Sequence, residues 1–211
     1  MLVAALLAFG VTSACSSWGK RETGAAVGAA AGGTAGAVIG SQTGSTARGA
    51  IIGAVVGGSA GAIIGHQMDQ QAKELKMQIP GALVERVGEG IQVTFASGLL
   101  YDFDSDVIRT AAAENLRSLA TSLAEYPDTD LLVVGHTDAT GNEMYNQGLS
   151  ERRANAAVRF LSGRGVATTR MHASGRGEWE PLATNETEAG RQSNRRVEVA
   201  IYASQATRAS R

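Results

Sequence analysis

Two residues in the C-terminal half of the chain, Asp138 and Arg153, could together bind a small zwitterionic group. A group that carries an ammonium and a carboxylate on one carbon requires one anion and one cation that converge on it. The carboxylate of Asp138 can accept from the ammonium, and the guanidinium of Arg153 can donate two parallel hydrogen bonds to the carboxylate. The pair therefore predicts a binding site for an amino-acid end group.

The elements around this pair should bring the two side chains together. Asp138 follows Asp130–Gly135, a continuous apolar run that predicts a buried strand. Asn146 and Arg153 are seven residues apart, so they lie on nearly one face of the helix predicted next. Gly141 eases the turn that joins the strand to this helix.

Each residue taken singly also has a structural explanation. An aspartate after a strand is often a helix N-cap, and Arg153 could be a solvated helix residue. The catalytic alternative is a glycan hydrolase with paired carboxylates. Its candidate residues are Asp102, Asp104, Asp138 and Glu143. Since nothing assigns one of them as the acid and another as the base, a binding module is the leading prediction.

The composition argues against several partners and cofactors. With 19 basic and 20 acidic residues the chain has no basic field for a phosphate backbone, so no nucleic acid is expected. The single cysteine has no Cys/His cluster beside it, and His136 has no second histidine at ligand spacing, so His136 is interpreted as a hydrogen-bonded loop residue. A calcium loop at Asp102 is disfavoured because Val107 and Ala113 replace the required Gly and Glu. Neither a metal nor a cofactor is expected.

The N-terminal residues are typical of an export signal. Leu2–Val11 is an uncharged apolar run, and small residues, Thr12–Ala14, come directly before Cys15. The segment resembles bacterial lipoprotein signal peptides, which implies cleavage before Cys15 and lipidation of its thiol. It departs from them in two ways, since no Lys or Arg precedes the apolar run and Thr12 stands where Leu is usual. The alternative is an ordinary cleaved signal or a membrane anchor with an incidental cysteine.

A stretch of small and apolar residues carries glycine at every fourth position. Each interior glycine costs a helix in water about 0.8–1 kcal/mol relative to alanine, so close packing in lipid or in an oligomer must compensate. The stretch resembles glycine-zipper domains and predicts a helical hairpin that contacts a membrane or forms a homo-oligomer. The alternative is a flexible Gly/Ala linker. The two series are Gly24, Gly28, Gly32, Gly36, Gly40 and Gly44, then Gly49, Gly53, Gly57, Gly61 and Gly65.

Strand and helix patterns alternate after Pro80. Strands are predicted at Ile91–Phe95, Asp130–Gly135 and Arg196–Tyr202, and helical stripes at Leu116–Leu123 and Leu149–Leu161. This order predicts the α/β class, as a two-layer sandwich with βαβ units preceded by the glycine-zipper hairpin.

Three motifs occur in order in this region. They are Val134-Gly135-His136-Thr137-Asp138, Gly175-Arg176-Gly177 and Asn194-Arg195-Arg196-Val197-Glu198. These motifs resemble those of the OmpA-like peptidoglycan-binding domain, which outer-membrane proteins, flagellar stator proteins and peptidoglycan-associated lipoproteins share. The resemblance covers about residues 85–203.

The resemblance implies a non-catalytic tether that binds the diaminopimelate residue of the peptidoglycan stem, with Asp138 and Arg153 as anchors. The pocket wall that it implies consists of Thr137, Asn146, Asp104, Asn194 and Arg195, with the rest of the loop Asp102-Phe103-Asp104. Asp104 stands where some relatives have asparagine. Because Ser16 is not the aspartate that retains enteric lipoproteins in the inner membrane, an outer-membrane anchor facing the periplasm is favoured over the inner membrane.

These interpretations predict six segments along the chain. They are a signal peptide at 1–14, a lipid-anchored linker at 15–23, the zipper hairpin at 24–66, a linker at 67–84, the OmpA-like domain at 85–205 and a tail at 206–211.

Overall fold

The computed structural model of the protein describes residues 44–56, 62–102, 104–204 and 206–207. In this part of the chain five strands form one sheet in the order β1-β2-β5-β3-β4. The central strand β5 is antiparallel to both of its neighbours, whereas β3 and β4 are parallel. The strands are β1 Ala82–Val87, β2 Gly90–Ala96, β3 Thr129–Gly135, β4 Met171–Gly175 and β5 Arg196–Ala203.

The helices connect and cover these strands. Within the described residues they are α1 Thr46–Val56, α2 Ala62–Gln78, α3 Ser97–Leu100, α4 Ala113–Glu125, α5 Glu143–Ser162 and α6 Glu188–Asn194, with 3-10 turns at Thr110–Ala112 and Thr168–Arg170. Helix α5 joins β3 to the parallel strand β4, which makes a βαβ unit. The predicted α/β class is confirmed, and β2, β3, β5, α4 and α5 all contain the segments predicted for them.

The first face of the sheet carries the main core. Its residues on β2, β3 and β5, such as Phe95, Val133 and Val199, pack against apolar side chains of α2, α4 and α5. In α4 the stripe Leu116, Leu119 and Leu123 is almost fully buried there, as its helical spacing predicts.

The segment 67–84 differs from the linker predicted for it. It contains most of α2 and the start of β1, and its apolar residues Met68, Leu75 and Ile79 are each at most 2% exposed in the main core. The polar composition of the segment indicated a boundary, but together with the buried Ala72 these residues recur three to four positions apart and form one buried helical face.

Helix α1 covers the second face of the sheet. Its buried residues Ala47, Ala50, Ile51 and Ala54 pack against Leu132, Val134, Ala200 and Tyr202. A Cβ atom at Gly90 would lie 2.5 Å from Ile51 Cγ2, so the glycine lets the helix approach closely. Part of the predicted zipper therefore packs on the C-terminal domain, which adds a partial third layer to the predicted sandwich.

The other N-terminal predictions lie outside the described residues. These are the signal peptide at 1–14, the lipidation of Cys15, the lipid-anchored linker at 15–23 and the zipper hairpin before Gly44. In the described ranges, no helix is both long and apolar enough to cross a membrane.

Candidate functional site

Asp138 lies in the loop that leaves β3, as its position after a buried strand predicts. Its side chain is only 9% exposed, and both carboxylate oxygens are paired. Oδ1 accepts from the backbone N–H of Thr140 at 2.9 Å, and Oδ2 accepts from Arg195 Nη1 at 2.5 Å. Burial by itself would raise the pKa of Asp138, but the hydrogen bonds from Arg195 and Thr140 outweigh it and hold the pKa below its usual value. Asp138 is therefore an anion at neutral pH.

Arg195, which lies directly before β5, pairs with two acidic residues. Besides Asp138 it contacts Glu188 of α6, whose Oε1 accepts from Nη2 at 2.6 Å. The hydrogen bond to Glu188 is the main reason why the pKa of Arg195 is raised. Because Glu188 pairs with one terminal nitrogen of the guanidinium and Asp138 with the other, Arg195 has two anionic partners.

Asn146 fixes the loop that carries Asp138. It lies near the start of α5, which is capped by the side chain of Asn142. Its Nδ2 group lies 3.2 Å from the carbonyl oxygens of Asp138 and Thr140 and 2.8 Å from Glu178 Oε2. Asn146 is 3% exposed, so its amide acts mainly on the shape of the loop.

Arg153 lies two turns further along α5, on the face predicted for it. The residue is 5% exposed, its Nε donates to the Ser105 carbonyl at 2.9 Å, and its guanidinium carbon is 5.4 Å from the centroid of the Tyr101 ring. Burial lowers the pKa of Arg153. Among the described residues, no hydrogen-bond acceptor contacts its two terminal nitrogens. Arg153 thus keeps the two donors that a carboxylate would require.

Asp104 lies near Arg153, and its negative charge favours the charged guanidinium. Asp104 has a φ of +56°, a left-handed conformation that Asp tolerates better than most residues. Its Oδ1 accepts from the hydroxyl of Tyr145, and this hydrogen bond is the main cause of the raised pKa of Tyr145. Phe103 of the same loop lies outside the described residues.

The other two predicted wall residues are buried. Thr137 is 5% exposed, its N–H donates to the Gly177 carbonyl at 2.8 Å, and its hydroxyl has no hydrogen-bond partner in the described part of the chain. Asn194 is fully buried, and its amide bonds the backbone of Leu182 and Ala183 and the side chain of Asn185. Asn194 therefore acts on the loop before α6.

His136 is buried directly after β3. Its backbone N–H donates to the Arg196 carbonyl at 2.9 Å, but neither ring nitrogen has a hydrogen-bond partner among the described residues. Nε2 lies 3.8 Å from Glu198 Oε2, and the ring is fully buried. Burial, and then the charges of Arg196 and Arg176, lower the pKa of His136 far below its usual value. His136 is therefore hydrogen-bonded through its backbone, and its lowered pKa favours the neutral imidazole.

Three residues of the site were missed in the sequence. Tyr101 supplies the ring beneath Arg153, Glu178 binds Asn146, and Glu188 binds Arg195. Glu178 follows the motif Gly175-Arg176-Gly177 directly, which is a usable signal. Glu188 lies seven residues before Arg195, at the start of the short helix that ends directly before Arg195, so its spacing is a usable signal as well. Tyr101 carries no such signal, because its contact with Arg153 joins segments that are distant in the sequence.

Comparisons with known proteins identify the family of this chain. A family model described as the OmpA family matches residues 100–195, and one described as a YMGG-like Gly-zipper matches residues 1–69. The peptidoglycan-associated lipoprotein of Brucella melitensis biotype 1 is 34% identical over 117 residues, which are 56% of this chain and 70% of that protein. The chain belongs to the OmpA family.

Other relatives of this OmpA-family chain are matched over less of their length. The probable lipoprotein YiaD of Escherichia coli K12 is 36% identical over 136 residues, 64% of this chain and 62% of that protein. Outer membrane porin F of Pseudomonas fluorescens is 46% identical over 103 residues, 49% of this chain but only 32% of the porin.

Solved structures give the same OmpA-like fold. The cell wall anchor of the T6SS from Pseudomonas aeruginosa has a TM-score of 0.56 and 30% identity, covering 64% of this chain and 96% of that one. A MotB-like protein from Desulfovibrio vulgaris has a TM-score of 0.58, covering 67% and 94%, and at 22% identity it shows the fold alone.

Proposed function

We propose that this chain is a non-catalytic envelope lipoprotein that tethers a membrane to peptidoglycan by binding the diaminopimelate residue of the peptide stem. The observation that carries the proposal is that a buried anion in the loop before α5 is combined with a buried cation on α5. Asp138 is a buried anion held in place by Asn146, and Arg153 is a buried cation whose terminal nitrogens have no acceptor among the described residues.

The two anchors divide the ligand between them. Asp138 accepts a hydrogen bond from the ammonium of diaminopimelate in place of its bond from Arg195. Arg195 keeps its hydrogen bond to Glu188. Arg153 binds the adjacent carboxylate through its two free donors. Thr137, Asn146, Asp104, Asn194 and Arg195 remain proposed wall residues, with Asn146 and Asn194 acting through the loops that they hold.

The names of the relatives support the cellular part of the proposal. One relative is a peptidoglycan-associated lipoprotein and another is a cell wall anchor. By this analogy the chain is anchored to the outer membrane through a lipid on Cys15 and faces the periplasm, with self-association through the zipper. Labelling with a fatty-acid analogue tests the anchor, because a Cys15→Ser variant should then lose all label.

Ligand discrimination tests the binding site directly. Many cell walls carry lysine in place of diaminopimelate, and lysine keeps the ammonium but lacks the adjacent carboxylate. Arg153 would stay buried without a partner, which costs about 1–3 kcal/mol and more for a charged group. Calorimetric titration of the full chain should therefore show at least about tenfold tighter binding of the diaminopimelate muropeptide than of the lysine muropeptide.

Variants separate the two anchors. Arg153→Ala should remove most of the preference, and Arg153→Lys should restore little of it because an ammonium cannot form the bidentate pair. Asp138→Ala should weaken both ligands, since both carry the ammonium. Equal affinity of the wild type for both muropeptides would contradict the role of Arg153. Purified sacculi should retain the protein saturably, and release of soluble fragments would indicate a hydrolase instead.

A further inference from the structure

The start of α1 is held by buried polar and charged residues from the C-terminal domain. The N–H of Thr46 donates to Glu180 Oε2 at 3.0 Å, and Oγ1 donates to Glu180 Oε1 at 2.5 Å. The same Oγ1 accepts from Arg176 Nε at 2.7 Å, and Ser45 Oγ donates to Glu198 Oε2 at 3.0 Å. We call Ser45, Thr46, Arg176, Glu180 and Glu198 the polar clasp.

The loop that supplies Arg176 and Glu180 also contacts the proposed ligand site. Between these two residues, the Gly177 carbonyl accepts from the N–H of Thr137 at 2.8 Å. Glu178 Oε2 accepts from Asn146 Nδ2 at 2.8 Å, and this amide also contacts the loop of Asp138. One short run of residues therefore binds the start of α1 at its ends and the ligand site in its middle.

The charges of the polar clasp point to positioning rather than to simple stabilisation. The side chains of Arg176 and Glu180 are 10% and 14% exposed, and that of Glu198 is fully buried. Burying such groups costs desolvation free energy that apolar contacts would not, so a buried ion pair is a weak means of attaching a helix. Its directional hydrogen bonds do, however, fix one arrangement of the loop.

We propose that docking of α1 positions the diaminopimelate site, with Thr46 and Glu180 as positioning residues; this inference rests on the proposed function. When α1 leaves, Arg176 and Glu180 lose buried partners and the loop must rearrange to solvate them. Glu178 then no longer holds Asn146, and the ligand has to order the Asp138 loop when it binds. Coupling of this kind is reciprocal, so bound peptidoglycan stabilises the docked α1.

Thr46→Val tests the inference because it keeps the shape of the side chain and removes only the hydroxyl. In calorimetric titrations of the full chain with a diaminopimelate muramyl tripeptide, we expect about fivefold weaker binding. Thr46→Ser keeps the hydroxyl and should bind within about twofold of the wild type. Without ligand, amide hydrogen exchange of residues 136–146 should be faster in Thr46→Val than in the wild type or Thr46→Ser. A loss of stability elsewhere would not cause this local change.

Ile79→Val is the matched control for stability. Ile79 is 1% exposed in the main core, on the first face of the sheet, whereas the polar clasp holds α1 on the second face. Its truncation should therefore lower stability and leave the affinity unchanged. Equal affinities of the wild type and Thr46→Val would overturn the inference, as would an equal loss in Ile79→Val. No binding by the wild type would overturn the proposed function and this inference with it.

Discussion

The two faces of the sheet are covered in different ways. The first face packs against α2, α4 and α5 in one core, whose buried residues include large side chains such as Phe95, Leu119 and Ile201. The second face is covered over the described residues by α1, whose buried residues are Ala47, Ala50, Ile51 and Ala54. Small side chains bring α1 close to the sheet, but they remove little apolar area from water.

This difference indicates two levels of stability in one domain. The first face should open only when the whole domain unfolds, since its core joins the sheet to α2, α4 and α5. Helix α1 should open locally at lower free energy, because it has fewer apolar contacts and a polar attachment. A helix that can leave without unfolding the sheet is suited to influence the ligand site, which lies at the end of the same strands.

The largest expected effect is on the first face. Leu119→Ala removes a fully buried side chain and should lower the free energy of unfolding by about 2–5 kcal/mol, measured by urea denaturation. Ile51→Ala is the matched variant on the second face. It should reduce hydrogen-exchange protection of residues 46–56 and leave the sheet amides protected. Equal loss of sheet protection in both variants would show that the two faces unfold as one unit.

Gly90→Ala should have a smaller effect. The new Cβ would lie 2.5 Å from Ile51 Cγ2 and 2.6 Å from the Ile201 carbonyl oxygen, and overpacking of this kind costs about 1–3 kcal/mol. Gly98→Ala is the control, since nothing lies within 4 Å of a Cβ there. Adding Ile51→Ala to Gly90→Ala should relieve part of the cost in thermal unfolding. Purely additive losses would contradict the close contact between α1 and β2.

The smallest expected effect is a pH dependence at the polar end of the second face. His136 has a lowered pKa in the folded state because it is buried beside Arg196 and Arg176, so the unfolded chain binds the proton more tightly. The stabilising contribution is complete above the unfolded pKa of about 6.5 and falls as the pH drops below it. The slope should reach at most about 1.4 kcal/mol per pH unit.

Urea titrations between pH 5 and pH 7 measure this slope, which should correspond to the uptake of about one proton on unfolding. His136→Gln should remove it, whereas the same change at the exposed His172 should not. An unchanged slope in His136→Gln would mean that other groups cause the dependence.

The sequence by itself determined the α/β class and the main elements. The alternating residues of β2 and β5 and the stripe of α4 needed no tertiary information, because a sheet face or helix face buries residues at a fixed period. The order of motifs around Asp138 and Arg153 also placed both residues on the elements where they lie. Their roles in binding remain proposals.

Only the tertiary structure decided which surfaces these elements cover. The glycines and alanines at 47–54 fit packing in lipid, in an oligomer or on a sheet equally well, since small residues allow close approach to any partner. The choice of the second face depends on Gly90 and on the carboxylates of Glu180 and Glu198, which lie far away in the sequence. In the same way, Arg195 contacts Asp138 because β5 pairs with β3, which no local pattern encodes. Tyr101 contacts Arg153 from 52 residues away in the sequence.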